Sequence, residues 1–113
     1  MSEWRADLHT HTLHSDGLDA PEILLDLARL HGLSGLSITD HDTIEAYTPE
    51  LFEKAALLQI SLLPGVEVSS EFQGRSVHIL GYGIDLHSLP LQQFLKTLIE
   101  RRKKRNLPSW SIT

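Results

Sequence analysis

The stretch DLHTHTLHSDG, residues 7–17, places three histidines and two aspartates within eleven positions. It overlaps the end of WRADLH, residues 4–9, which we interpret as the first strand. His9 and His11 lie two positions apart, and alternate residues of a strand share a face, so both rings can point to one side. Two neutral imidazoles on one side can bind one metal ion, although an isolated His-x-His pair is weak evidence.

The rest of the chain alternates helical and strand patterns. Apolar spacing and capping residues predict helices over residues 19–32, 48–58 and 91–105, and strands over residues 33–40, 60–70 and 75–83. Asp19 and Thr48 are the predicted caps of the first two helices. The order β-α-β-α-β-β-α favours helical crossovers between mainly parallel strands, as in an α/β sheet or a partial barrel.

Polar residues recur where the predicted strands end. His9 and His11 follow the first strand, Asp40 and His41 in TDHDT (39–43) follow the second, and Glu67 ends the third. Right-handed crossovers bring these ends to one rim, where α/β barrels build their sites. Imidazole mixed with carboxylate suits Zn²⁺, Mn²⁺ or Fe²⁺ better than Mg²⁺. Glu67 could bridge two ions, while Asp16 and His41 could hold another.

Several of these residues also have ordinary structural interpretations. His78, within VHILGY, would by itself be read as a core histidine in an apolar strand. Asp40 could simply cap its loop, and we interpret it instead as orienting a metal-binding histidine. His14 is interpreted as a solvated loop residue. The basic block RRKKR, residues 101–105, is usually a solvated helix end.

Length and composition limit the kind of protein. The 113 residues allow one small domain, and 41% hydrophobic content makes a packed core feasible. The chain has no cysteine, so any metal must be held by histidine, aspartate and glutamate. Its apolar runs are too short to span a membrane and no signal-peptide pattern opens it, so the default prediction is a cytoplasmic protein.

Charge is distributed unevenly along the chain. Residues 1–100 contain all 15 acidic residues but only half of the 10 lysines and arginines. This acidic part suits cations and repels phosphates unless bound metals reverse the local sign. A nucleic-acid-binding module that uses residues 101–105 is therefore a rival hypothesis, which the acidic balance of the remainder disfavours.

Four motifs in order, DLHTHTLHSDG, TDHDT, GVEVSS and VHILGY, resemble successive motifs of the PHP (polymerase and histidinol phosphatase) superfamily. The resemblance makes residues 1–113 the N-terminal part of a PHP domain, with about 1–105 matching and 106–113 a divergent tail. The spacing is most similar to stand-alone PHP phosphoesterases. That branch includes 3′,5′-nucleoside bisphosphate phosphatases and a 5′-to-3′ exoribonuclease.

The resemblance implies a distorted (β/α)7 TIM-like barrel with two or three divalent metal ions (Mn, Zn or Fe) on its rim. Arg102 and Arg105 would contact the substrate. Asp40 would take part in catalysis only by orienting a metal-binding histidine. The implied metal ligands are His9, His11, Asp16, His41, Glu67 and His78.

The implied activity is hydrolysis of phosphomonoesters of small nucleotides or RNA 5′ ends by a metal-bound hydroxide. Family members are more than twice this long, and their later motifs add further ligands, so the chain is predicted to be the first half of a barrel. The alternatives are a truncated, catalytically silent metal-binding remnant and a histidinol-phosphatase-like protein. An open half-barrel is expected to self-associate, to need a complementing C-terminal half or to be poorly stable, because it exposes sheet edges and apolar faces. No membrane or duplex DNA partner is expected.

Overall fold

Residues 5–104 are described by a computed structural model in which five strands and three helices follow one another as β-α-β-α-β-β-β-α. The elements are β1 (Ala6–Thr10), α1 (Pro21–Leu30), β2 (Gly35–Ile38), α2 (Pro49–Leu57), β3 (Ser61–Leu62), β4 (Gly65–Phe72), β5 (Arg75–Tyr82) and α3 (Leu89–Lys104). None of the helices in this part of the chain is both long and apolar enough to cross a membrane.

Strands β1, β2 and β3 form a parallel sheet in that order, with α1 and α2 as the crossovers. Strands β4 and β5 form a separate antiparallel hairpin whose turn places Gln73 and Gly74 at positive φ. A single parallel bridge between His41 and Glu67 joins the hairpin to the exit of β2. The parallel order predicted from the sequence therefore brings the ends of β1 and β2 and the start of β4 together.

The predicted single strand over residues 60–70 is wrong, because the structure divides it into β3 and β4. Pro64 stands between the two and has no amide hydrogen to donate to a neighbouring strand. Leu63 still donates to the carbonyl of Leu36 on β2 at 2.9 Å, and beyond Pro64 the chain turns to pair with β5. The break allows β4 to run past the edge of the parallel sheet.

Helices α1 and α2 cover the parallel sheet with apolar side chains. Buried residues from both helices and from β2 form one core: Leu25, Ala28, Leu36, Ile38, Ala46, Leu51, Ala55 and Ile60. The predicted cap of α2 is confirmed, since Thr48 Oγ1 accepts a hydrogen bond from the amide of Leu51 at 3.1 Å. The predicted cap Asp19 is wrong. Pro21 has a fixed φ and no N–H, which suits the first position of α1, so the capping position is Ala20.

Tyr47 connects the sheet to the hairpin. Its hydroxyl accepts the amide hydrogens of Ile38 and Gly65, both at 2.9 Å, and donates to the carbonyl of Ile38. Burial raises the pKa of Tyr47 above 10.0, and the surrounding hydrogen bonds offset this only in part. The neutral phenol is thus the form that the fold stabilises.

We expect Tyr47→Phe to lower the free energy of unfolding by about 1–3 kcal/mol, because two backbone donors lose their acceptor. Tyr82→Phe is the matched control, since that hydroxyl makes a single exposed bond to the carbonyl of Leu8. Denaturant titration of both variants measures the difference. Equal destabilisation by the two substitutions would contradict the role assigned to Tyr47.

Candidate metal centre

The carboxylate of Glu67 lies at the centre of four imidazole rings. Its Oε1 is 2.7 Å from Nε2 of His9 and 3.1 Å from Nε2 of His11. Its Oε2 is 2.6 Å from Nδ1 of His78 and 3.3 Å from Nδ1 of His41. Glu67 is itself only 4% exposed. Residues separated by up to 58 positions in the sequence therefore converge on one buried side chain.

Asp16 provides a second carboxylate on the far side of two of these rings. Its Oδ1 lies 2.6 Å from Nδ1 of His11, and its Oδ2 lies 3.1 Å from Nε2 of His41. Asp16 is more accessible than Glu67. His11 and His41 thus each have one nitrogen near Glu67 and the other near Asp16.

Backbone pairing explains why these side chains meet. His9 belongs to β1 and His11 lies one residue beyond it, while His41 follows β2. Glu67 N–H donates to the carbonyl of Asp40 at 3.0 Å, and Asp42 N–H donates to the carbonyl of Glu67 at 2.9 Å. These two bonds fix Glu67 beside His41.

The expectation that Glu67 ends a strand is wrong, because it is the third residue of the eight-residue β4. The division of the predicted strand at Pro64 moves the start of β4, rather than its end, to the rim of the parallel sheet. His78 comes from the middle of β5, which pairs with β4. Contrary to the reading of His78 as a core histidine, its ring reaches the carboxylate of Glu67.

The surrounding rings control the ionisation of Glu67. Burial alone raises the pKa of this carboxyl, but the hydrogen bond with His9 and the charges of His41 and His11 outweigh burial. The net result is a pKa below the ordinary value of 4.5. Glu67 is therefore a carboxylate at neutral pH, which is the form that binds cations.

The donor set fits a metal better than it fits hydrogen bonding alone. A neutral imidazole carries one N–H, yet both nitrogens of His11 face carboxylates, which can only accept. Nδ1 of His41 is buried and makes no hydrogen bond with any residue between 5 and 104, although Glu67 lies 3.3 Å away. Without a cation, both carboxylates around such a ring are satisfied only if the imidazole is doubly protonated. A cation between these atoms would instead bind the nitrogen that carries no proton in the neutral ring. Mixed nitrogen and oxygen ligands of this kind are typical of zinc, manganese and iron sites.

Three overlapping groups have ligand atoms that all lie within 4.8 Å of one another. All six residues predicted as ligands belong to them. The groups are His9, His11 and Glu67; His11, Asp16 and His41; and His41, Glu67 and His78. Glu67 is shared by the first and third groups: its Oε1 faces the rings of the first group, and its Oε2 faces those of the third.

The prediction that Asp40 orients a metal-binding histidine is corrected by its contacts. Its buried carboxylate accepts hydrogen bonds from the amide and the hydroxyl of Thr12, at 2.5 and 2.6 Å, and from the Ser15 hydroxyl at 2.7 Å. Within the part of the chain that the structure describes, it makes no hydrogen bond with a histidine ring. The loop after β1 folds over Asp40 and supplies three donors, so Asp40 instead holds the loop that carries His11 and Asp16.

Thr12 and Ser15 are the residues that the sequence analysis missed. Both are buried, at 0% and 6% exposure. The sequence indicated a role for them only in that both carry hydroxyls and lie between metal-ligand candidates in the DLHTHTLHSDG stretch. A buried carboxylate nearby needs such donors, but the sequence does not reveal which carboxylate is nearby.

Other sequence candidates lie outside this cluster. His14 is 3.5 Å from Glu45 and remains on the exposed loop, as predicted. His87, which the sequence did not single out, lines a cavity of about 780 Å³ between α3 and the loop after His41. The side chain of Arg102 and the whole of Arg105 lie outside the described residues, so their predicted substrate contacts stay predictions.

Comparison with known proteins gives consistent matches. The family model of the PHP domain matches residues 7–106. The 5′-3′ exoribonuclease Rnm of Escherichia coli (strain K12) is 40% identical over 100 residues, which are 88% of this chain and 34% of the enzyme. The 3′,5′-nucleoside bisphosphate phosphatase of Chromobacterium violaceum is 38% identical over 99 residues, again 88% and 34%. The chain thus spans about a third of the length of these curated relatives.

A solved structure from Bifidobacterium adolescentis, described as a metal-dependent phosphoesterase, superimposes with a TM-score of 0.82 at 30% identity. The alignment covers 93% of this chain and 36% of the other. The described residues accordingly form part of a TIM-like α/β barrel, as the sequence predicted.

We expect Asp40→Asn to weaken binding of Mn²⁺ by about 10–100-fold, because an amide cannot accept all three hydrogen bonds and the loop carrying two ligands loosens. Asp85→Asn is the control, since Asp85 is exposed and its carboxylate accepts, among the described residues, only the amide of His87. Isothermal titration of Mn²⁺ into each variant gives the affinities. Unchanged affinity in Asp40→Asn would remove Asp40 from the support of the centre.

Proposed function

The chain belongs to the PHP domain family, and on this premise we propose that it acts as a metal-dependent phosphoesterase. The observation that carries the proposal is the convergence of four histidines on the carboxylate of Glu67. The names of its relatives, an exoribonuclease and a nucleotide phosphatase, support the same class of phosphoric ester hydrolase.

Each ligand residue has a distinct task in this proposal. Divalent ions bound here supply Lewis-acid activation of water and of the phosphoryl group. Glu67, ionised at neutral pH and held by two backbone hydrogen bonds, offers one oxygen to each side of the cluster. Asp16 closes the more exposed side. His9 and His78 bind from the outer strands β1 and β5, while His11 and His41 lie between the two carboxylates.

The number and kind of metal ions are part of the proposal. The three overlapping groups suggest two or three ions. A set of four imidazoles and two carboxylates favours manganese, zinc or iron over magnesium, which prefers oxygen ligands and water. These ions would also reverse the negative charge of the acidic part of the chain, so that a phosphate could approach.

The proposed substrate is a phosphomonoester of a small nucleotide or of an RNA 5′ end. One relative is named a 3′,5′-nucleoside bisphosphate phosphatase and another a 5′-3′ exoribonuclease, which supports a nucleotide or an RNA end as the substrate. A histidinol-phosphate-like substrate is the alternative that the superfamily resemblance leaves open. Arg102 and Arg105 are proposed to contact the phosphate, and a cytoplasmic location stays a prediction.

We also propose that the chain associates with a second copy or with a complementing segment. Within residues 5–104, β5 pairs only with β4 and leaves its other edge open. Apolar side chains on β5 are exposed, with Ile79 at 55%. Open edges and exposed apolar faces are the usual sites of strand pairing between chains.

This association predicts that sedimentation velocity over a concentration series shows dimers or larger species at higher concentration. Ile79→Lys is expected to shift the distribution towards monomer, because charge on an edge strand opposes pairing. Leu57→Lys is the control, since Leu57 is also apolar and is even more exposed, at 85%, but lies on α2, away from the open edge. A chain that stays monomeric throughout would contradict the proposal.

The activity is tested by hydrolysis of a 3′,5′-bisphosphonucleotide in the presence of Mn²⁺. The double variant His9→Ala, His11→Ala is expected to lose roughly a hundredfold or more of the rate, because both rings on the β1 side of Glu67 are removed. His14→Ala is the matched control from the same stretch, since its ring pairs with Glu45 outside the cluster.

The possible results separate the hypotheses. Equal rates in wild type and in the double variant would refute the assignment of these ligands. Binding of Mn²⁺ without turnover by the wild type would favour the silent metal-binding remnant. RNA binding that depends on salt and on the basic residues 101–105, without metal binding, would favour the nucleic-acid module instead.

A further inference from the structure

Strand β4 carries two adjacent serines in opposite environments. Ser69 is 5% exposed, whereas Ser70 is exposed. The backbone amide of Ser69 donates to Oδ1 of Asp42 at 2.8 Å. Its side-chain Oγ, in contrast, is buried and makes no hydrogen bond with any residue that the structure describes. A buried hydroxyl without a partner is costly, so one in a native fold needs an explanation.

The position of Ser69 on β4 places its side chain on the face that carries the metal centre. Glu67 and Ser69 are two residues apart on β4, and alternate residues of a strand share a face. Ser69 also lies directly opposite His78 in the antiparallel register, and opposed residues project to the same side. His78 contacts Glu67 at 2.6 Å. Two independent relations therefore put the Ser69 side chain on the face that carries the cluster.

The chemistry of the surroundings indicates which ligand the hydroxyl would meet. A serine hydroxyl donates one hydrogen bond, and a charged oxygen is its strongest acceptor. The carboxylates of the cluster are engaged by the histidines, and Oδ1 of Asp42 accepts the amide of Ser69. An anion held by cations at this cluster would bring further charged oxygens to the same face.

We propose that Ser69 is a phosphate-binding residue, whose hydroxyl donates a hydrogen bond to a non-bridging oxygen of a phosphate held at the metal centre. This inference rests on the proposed function, because it takes the phosphate to be the group that the centre binds. It adds to the six metal-ligand candidates a neutral side chain that touches the substrate rather than the metal.

The test is calorimetric titration of inorganic phosphate into the Mn²⁺-loaded chain, for wild type, Ser69→Ala and Ser70→Ala. Ser69→Ala is expected to weaken phosphate binding by about tenfold or more, the value of one hydrogen bond to a charged group. Ser70→Ala is expected to match the wild type, since Ser70 alternates to the opposite face of β4. Both variants are expected to keep the Mn²⁺ affinity of the wild type.

A second measurement distinguishes binding from a structural role. In the metal-free chain, Ser69→Ala is expected to leave the melting temperature unchanged or to raise it, because it removes a buried group that has no partner. A clear fall in melting temperature would show that the hydroxyl is bonded within the fold, and would overturn the proposal.

The remaining outcomes keep this inference apart from the proposed function. Phosphate binding by Ser69→Ala that equals the wild type overturns the role of Ser69 and leaves the metal centre intact. A wild type that binds Mn²⁺ but no phosphate likewise overturns the role of Ser69 and leaves the metal centre intact. A wild-type chain that binds no Mn²⁺ overturns the proposed function, and the inference about Ser69 falls with it.

Discussion

The buried carboxylate of Glu67 is the constraint on which the rest of the site depends. An ionised carboxyl removed from water is strongly destabilising unless partners compensate it. Here four imidazoles provide that compensation, with nitrogen-to-oxygen distances between 2.6 and 3.3 Å. The side chains that surround Glu67 come from β1 and the residue just beyond it, from β5, and from the segment that follows β2. Satisfying this one charge therefore requires three separate parts of the chain to be in register.

The segment Asp40–Asp42 supplies much of that register. Its backbone bonds to Glu67 on both sides, through the carbonyl of Asp40 and the amide of Asp42. The Asp40 side chain binds the loop after β1, and the Asp42 side chain binds the amide of Ser69 on β4. Asp42 adopts a φ of 58°, an uncommon conformation that aspartate tolerates better than most residues. Asp40 and Asp42 thus connect this segment to the loop after β1 and to β4, while His41 between them contributes its ring.

Local sequence signals predicted those features that depend on neighbouring residues. The cap Thr48 follows from side-chain chemistry at a single position. The spacing of His9 and His11 predicted that both rings lie near one site, and both do contact Glu67. The division at Pro64 was also readable in principle, because proline cannot donate to a strand. The resulting position of Glu67 near the start of β4 could not be predicted, since it depends on the pairing of β4 with β5.

The sequence by itself determined the alternation of helices and strands. It also determined that any metal ligands are imidazoles and carboxylates, because the chain has no cysteine. Tertiary structure alone decided that Glu67 is central, that Asp40 meets Thr12 and Ser15 rather than a histidine, and that Ser69 is buried while Ser70 is not. The reason is physical. Periodicity and capping act over a few residues, whereas burial and hydrogen-bond partnership depend on which distant backbone segments pair, and here that is fixed by contacts 25 to 58 residues apart.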